Sequence, residues 1–125
     1  MSAPSLELQT LKAEFFRALA HPARIRLLEL LSDRGEQSVQ MLQAGLDLDQ
    51  PIVSQQLAKL RASGIVVSRK EGTTVHYALA NPKIADLLKV AKTILSHRLT
   101  GHRTLLHELR TNITSRRART DRGPR

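Results

Sequence analysis

At Gly64 the apolar residues of this chain change their spacing. Before it they recur every three or four positions, as on one face of a helix. After it, in "IVVSRKE" and "TTVHYAL", the period falls to two, with Val, Ile, Thr and Tyr prominent. The chain is therefore held to a mainly α fold carrying one β-hairpin, joined around Glu71 and Gly72. With 125 residues, a single domain with a modest core is expected, and dimerisation would hide further apolar surface.

The helices can be placed by stripe and boundary. Leu8, Leu11, Phe15 and Leu19 predict a helix over 6–19, widened by Leu6 and Phe16. "AHPAR" breaks and restarts the chain: His21 supports the start of the second helix, and Pro22 fits its first turn because it has no N–H to lose. Ile25, Leu28 and either Leu27 or Leu31 are expected to face inward, and "SDRG" ends the helix at Gly35. A short strand at 37–39 leads into a third helix over 38–44, whose apolar residues are Val39, Met41 and Leu42. Residues 45–48 form a turn. Asp49 is expected to cap the next helix with its carboxylate, and Pro51 lies in the first turn. That helix, 50–62, turns Val53, Leu57 and Leu60 inward. "NPKIADLLKVAKTILSHRL" is the last clear helix, capped by Asn81. Its long stripe (Ile84, Leu87 or Leu88, Ala91, Leu95, Leu99) is expected to meet both its own core and another subunit.

Helix, tight turn, helix and hairpin form an arrangement that can read DNA, because an α-helix fits the major groove while its predecessor braces it across the backbone. The charge agrees: 20 Lys and Arg against 11 Asp and Glu give +9, which attracts polyanions. On the polar flank of 50–62, Gln50, Ser54 and Gln55 are candidates for base edges, with Gln56 at the border. Glutamine can bond adenine bidentately, whereas Lys59 and Arg61 suit phosphates. Arg69 and Lys70, with Thr73 after them, give the hairpin a basic tip. The bland alternatives are a solvated helix face and a hairpin that only closes the fold. No glycine-rich phosphate loop, serine nucleophile motif or HExxH motif is present, so an enzyme is not expected.

"ALAHPARIRLLELL", "VSQQLAKLRASGIV" and "RKEGTTVHYAL" together resemble the ArsR/SmtB family of bacterial winged-helix repressors, collinearly from about Leu11 to Leu99. The resemblance implies a winged helix-turn-helix of order α1-α2-α3-α4-β-β-α5. It implies a homodimer through the first and last helices, with 50–62 in the major groove and 66–79 as the wing. The partner would be an operator inverted repeat. A metal-independent regulator and a non-specific DNA-binding protein are the alternatives.

Many family members release DNA on binding a metal ion. The absence of cysteine excludes thiolate ligation here, and Ser38, Val39 and Gln40 stand where the family's cysteine pair would be. At the family's second pocket stand Asn81, Lys83, Ile94 and His97, of which only His97 is a good ligand. No cofactor is required. If a metal acts, His97, His102, His107 and Glu108 are the candidate ligands, and imidazole with carboxylate favours nickel, zinc or cobalt. Residues 1–109 are expected to form the domain. Residues 110–125, rich in arginine, are expected to be a basic tail, either a DNA-contacting arm or a solvated end. With neither a long apolar run nor a signal core, the chain is expected to be cytoplasmic, without a membrane partner.

Overall fold

Proline, glycine and short polar side chains set the element boundaries. A computed structural model describes residues 5–100 and Arg110. The elements are α1 (Glu7–Leu19), α2 (Pro22–Arg34), β1 (Gln37–Ser38), α3 (Val39–Ala44), α4 (Gln50–Ala62), β2 (Val66–Glu71), β3 (Thr74–Leu79) and α5 (Lys83–Thr100). This is the expected order, with the anticipated short strand present as β1. The three strands form an antiparallel sheet in the order β1-β3-β2, with Gln37 opposite Tyr77 and Val66 opposite Leu79. Glu71 faces Thr74, so the hairpin turns on Gly72 and Thr73, and Gly72 takes φ 63°. A glycine at positive φ in the first loop position matches the twist of the flanking strands.

The caps explain several of these ends. His21 accepts the Ala23 amide on Nδ1 at 3.1 Å, so it starts α2, as expected. Ser38 Oγ accepts the Met41 amide at 3.2 Å, which makes Ser38 the cap of α3 rather than its first helical residue. Asn81 Oδ1 accepts from Lys83 at 2.9 Å. Asp49 departs from expectation: it occupies the cap position of α4, but its carboxylate makes no capping bond. Its backbone carbonyl takes the Ile52 and Val53 amides instead.

Residues 5–87 belong to one unit, with its core built around α2. That helix packs on both α4 and β3, so it needs two buried sides. Leu27, Leu28, Leu30 and Leu31 are accordingly all buried, where the sequence offered Leu27 and Leu31 as alternatives. Ile25 was expected inside but is exposed, because the helical wheel puts it nearly opposite the middle of that leucine stripe. Met41 is exposed as well, and Leu42 is the residue of α3 that enters the core. Leu19, Ala23, Leu42, Val53, Leu57, Leu60, Ile65, Val66 and Ile84 complete the interior among the described residues. Each fully buried leucine contributes roughly 1.5–3 kcal/mol.

The second unit begins at Leu88. Its described part is the remainder of α5, on which Val90, Ile94 and Leu95 are exposed. The expected basic tail, Arg110 excepted, lies outside the described residues, as do His102, His107 and Glu108.

Candidate nucleic-acid interface

The side of α4 that is buried determines the side that is offered. Val53, Leu57 and Leu60 have no or almost no accessible surface and fix the helix's rotation against α2. Gln50, Gln55, Lys59 and Arg61 are thereby exposed, and Ser54 is half-buried. Gln55 and Lys59, four residues apart, share a line along the helix. Ser54 and Arg61 flank Ala58, which is also exposed. Ala58 has no side chain beyond Cβ, so a partner can approach the helix backbone at the middle of this flank. Alanine is so ordinary in helices that nothing in the sequence singled it out.

Gln56 does not belong to this flank. It is buried, since it falls between Val53 and Leu60 on the inward stripe, and its Oε1 accepts from Arg24 Nε at 2.8 Å. Arg24 also donates through Nη1 to the Ala18 carbonyl at 2.9 Å. One guanidinium on α2 thus ties α4 to the C-terminal end of α1. A buried amide would be costly without such a partner. Gln56 therefore positions the exposed flank rather than forming part of it. Arg24 escaped sequence reasoning because its partner lies 32 residues away.

In the hairpin, the two basic residues of the tip differ. Arg69 Nε donates to Glu36 Oε1 at 2.8 Å and Nη1 to Glu71 Oε2 at 2.9 Å. These bonds hold the Glu36 carboxyl below its usual range and push the Arg69 guanidinium further up. Arg69 is not the free cation the sequence suggested. It is matched by two carboxylates and fastens β2 to the segment between α2 and β1. His76 Nε2 stands 3.9 Å from Glu71 Oε2, at the edge of the same cluster. Lys70 points to the other face, since alternate strand residues do. It is exposed and has no carboxylate partner among the described residues, and Thr73 is exposed in the turn.

The positions that the resemblance gives to metal ligands hold no suitable set. Ser38 Oγ and Asn81 Oδ1 are occupied as helix caps, and Lys83 Nζ lies 3.7 Å from Asp86. His97 is exposed on α5. Among the described residues no three His, Cys, Asp or Glu side chains are grouped as a metal site. Among them, too, no helix is long and apolar enough to cross a membrane.

Comparison with known proteins places this arrangement. Residues 21–68, from α2 into β2, match the family described as bacterial regulatory protein, arsR family. The uncharacterized HTH-type transcriptional regulator Rv0081 of Mycobacterium tuberculosis is 45% identical over 103 residues, covering 82% of this chain and 90% of the relative. Its crystal structure superposes with a TM-score of 0.71 at 46% identity, covering 78% of this chain and 98% of that one. The biofilm growth-associated repressor of Agrobacterium fabrum is 45% identical over 82 residues, covering 66% of this chain and 69% of the relative. The homodimeric winged helix-turn-helix DNA-binding domain Mb0332 of Mycobacterium bovis gives a TM-score of 0.69 at 27% identity, covering 80% and 95% of the two chains.

Proposed function

The chain belongs to the arsR family of bacterial regulatory proteins, and on that premise we propose that it represses transcription as a homodimer bound to an inverted repeat in operator DNA. It is a sequence-specific DNA-binding protein and not an enzyme. The observation that carries the reading is the exposed flank of α4, set opposite the buried Val53–Leu57–Leu60 stripe. Gln50, Ser54 and Gln55 supply the donors and acceptors for base edges in the major groove. Lys59 and Arg61 supply phosphate contacts that fix the register. Beside α4, the wing offers Lys70 and Thr73.

The apolar residues left exposed support the homodimer. Leu8, Leu11 and Phe16 on α1, and Val90, Ile94 and Leu95 on α5, form faces of the kind that meet a partner. The homodimeric state of the Mb0332 domain points the same way. A bacterial repressor of this kind meets its operator in the cytoplasm. The metal positions of the family do not fit here, so no metal-dependent step enters the mechanism.

A non-specific DNA coat would gain from every free cation. The pairing of Arg69 with two carboxylates, beside a flank of glutamine and serine, favours a reader of sequence. The test is a shift assay with the promoter region of the protein's own gene and a scrambled duplex of equal length. Specific binding should exceed non-specific binding by about a thousandfold or more. Equal affinity for the two duplexes would remove the sequence-specific reading.

A further inference from the structure

A cleft of about 530 Å³ opens between the C-terminal end of α1 and the C-terminal end of α4. Arg17 from α1, Arg24 from α2, and Lys59 and Ser63 from α4 and its cap line it, together with Glu14. We propose that this cleft is a phosphate seat, and that it takes one backbone phosphodiester of the duplex read by α4. The inference rests on the DNA-binding reading above and extends it to α1 and α2.

Three cations from three helices face one opening, against one carboxylate. Among the described residues, none of the three is ion-paired, in contrast to Arg69. The Arg24 guanidinium is held by two hydrogen bonds, to Gln56 Oε1 and to the Ala18 carbonyl, and neither acceptor is charged. Three of its five N–H groups remain for a ligand, on a plane already fixed, and a planar fork of this kind suits phosphate oxygens. The two helix C-termini work against an anion, each with about half a negative charge. After Glu14 is counted, an excess of roughly one positive charge is left. That suits a single phosphodiester better than a multiply charged phosphate ester.

The cleft also continues the reading flank. Gln55, Lys59 and Ser63 follow one another at four-residue intervals along α4 and its end. From Gln55 to Ser63 the helix advances about 12 Å, close to the roughly 12 Å width of the major groove. With Gln55 at a base edge, Ser63 and Lys59 come to the phosphate rim, and Arg17 stands beside them.

Salt dependence tests the seat. Wild type, R17Q, E14Q and Q55A are titrated with operator and scrambled duplex between about 50 and about 200 mM salt. R17Q should flatten the slope of log K against log salt by about 0.9 on both duplexes. Its disadvantage to wild type should then be about three to four times larger at the low-salt end. E14Q should move the other way and tighten both complexes, whereas Q55A should weaken the operator complex alone. Arg17 and Glu14 are exposed, so melting temperature and oligomeric state should match wild type. Wild-type slope and affinity in both R17Q and E14Q would overturn the seat. If wild type fails to prefer the operator, the repressor reading fails, yet the slopes still decide the seat. Inorganic phosphate is titrated at constant ionic strength as the second arm. Saturable binding lost in R17Q, with R17Q keeping the wild-type slope on DNA, would assign a free anion and overturn the duplex assignment.

Discussion

Gly45 and Asp47 share between them what a turn often asks of one glycine. Asp47 takes the left-handed conformation, at φ 57°, while Gly45 stays at φ −87°. Gly45 is small for another reason: a Cβ there would lie 2.9 Å from Leu30 Cδ1. Leu30 is buried, so its side chain can yield only by repacking the core around it, and Gly45→Ala should destabilise the protein by about 1–3 kcal/mol through overpacking. Denaturant unfolding would measure it, and a neutral result would show that α3 can shift. Glu36 gives a second expectation at this scale. Its folded-state carboxyl is held below its ordinary 4.5, first by the Arg69 hydrogen bond. A lowered carboxylate stabilises the fold above its unfolded value, and that contribution fades as pH falls through the folded one. Wild type should therefore melt above Glu36→Gln near neutral pH, and the gap should close below about pH 4.5. Both groups are well exposed, so the gap should also shrink with added salt. A gap that persists in acid would remove this pair from the cause. Neither the Arg69–Glu36 nor the Arg24–Gln56 contact was legible in the sequence. Their partners stand 33 and 32 residues apart, and no local period or cap marks such pairs.

At the scale of the element, legibility was high wherever one face of a helix or strand is buried. The stripe of α4 was read correctly because Val53, Leu57 and Leu60 follow helical spacing and Gly64 closes the helix. Gln56 was missed because a glutamine next to that stripe reads as polar, whereas its amide is satisfied inside. Asp49 shows a similar limit: residue type announces a cap position but not which of its oxygens takes the bonds. The two DNA-facing elements should respond differently to mutation. Gln55→Ala should cost the operator complex about 1–3 kcal/mol and leave scrambled duplex nearly unchanged, because a lost base contact lowers only specific binding. Lys70→Ala, on the wing, should weaken both complexes alike and flatten the salt slope by about 0.9. Fluorescence anisotropy with both duplexes separates the two patterns. If Gln55→Ala weakened both duplexes equally, α4 would be holding phosphates rather than reading bases.

For the whole molecule, the decisive quantity is how many copies of α4 reach one duplex. A single copy presents a short flank, and a two-fold pair presents two, suited to half-sites about one DNA turn, or roughly 34–36 Å, apart. The net charge of +9 per chain doubles in such a pair, which steers it to DNA but supplies no sequence preference. Linking the two readers makes the second contact intramolecular, and affinity gains of about a hundredfold to ten-thousandfold follow without any new contact type. The exposed apolar residues of α5 are where that linkage can be cut at a distance from α4. Ile94→Asp places a charge on this face, whose burial against a partner would then be costly. Sedimentation should find the variant monomeric at concentrations where wild type is a dimer. Ile94 is exposed, so secondary structure should persist. Operator affinity should fall by about two orders of magnitude or more, and affinity for scrambled duplex should fall as well, since each protomer brings half the phosphate contacts. A monomer that still bound the operator at wild-type strength would mean that one α4 suffices. A dimer unaffected by the Ile94→Asp substitution would move the interface away from this face, leaving α1, with Leu8, Leu11 and Phe16 exposed, as the surface to substitute next.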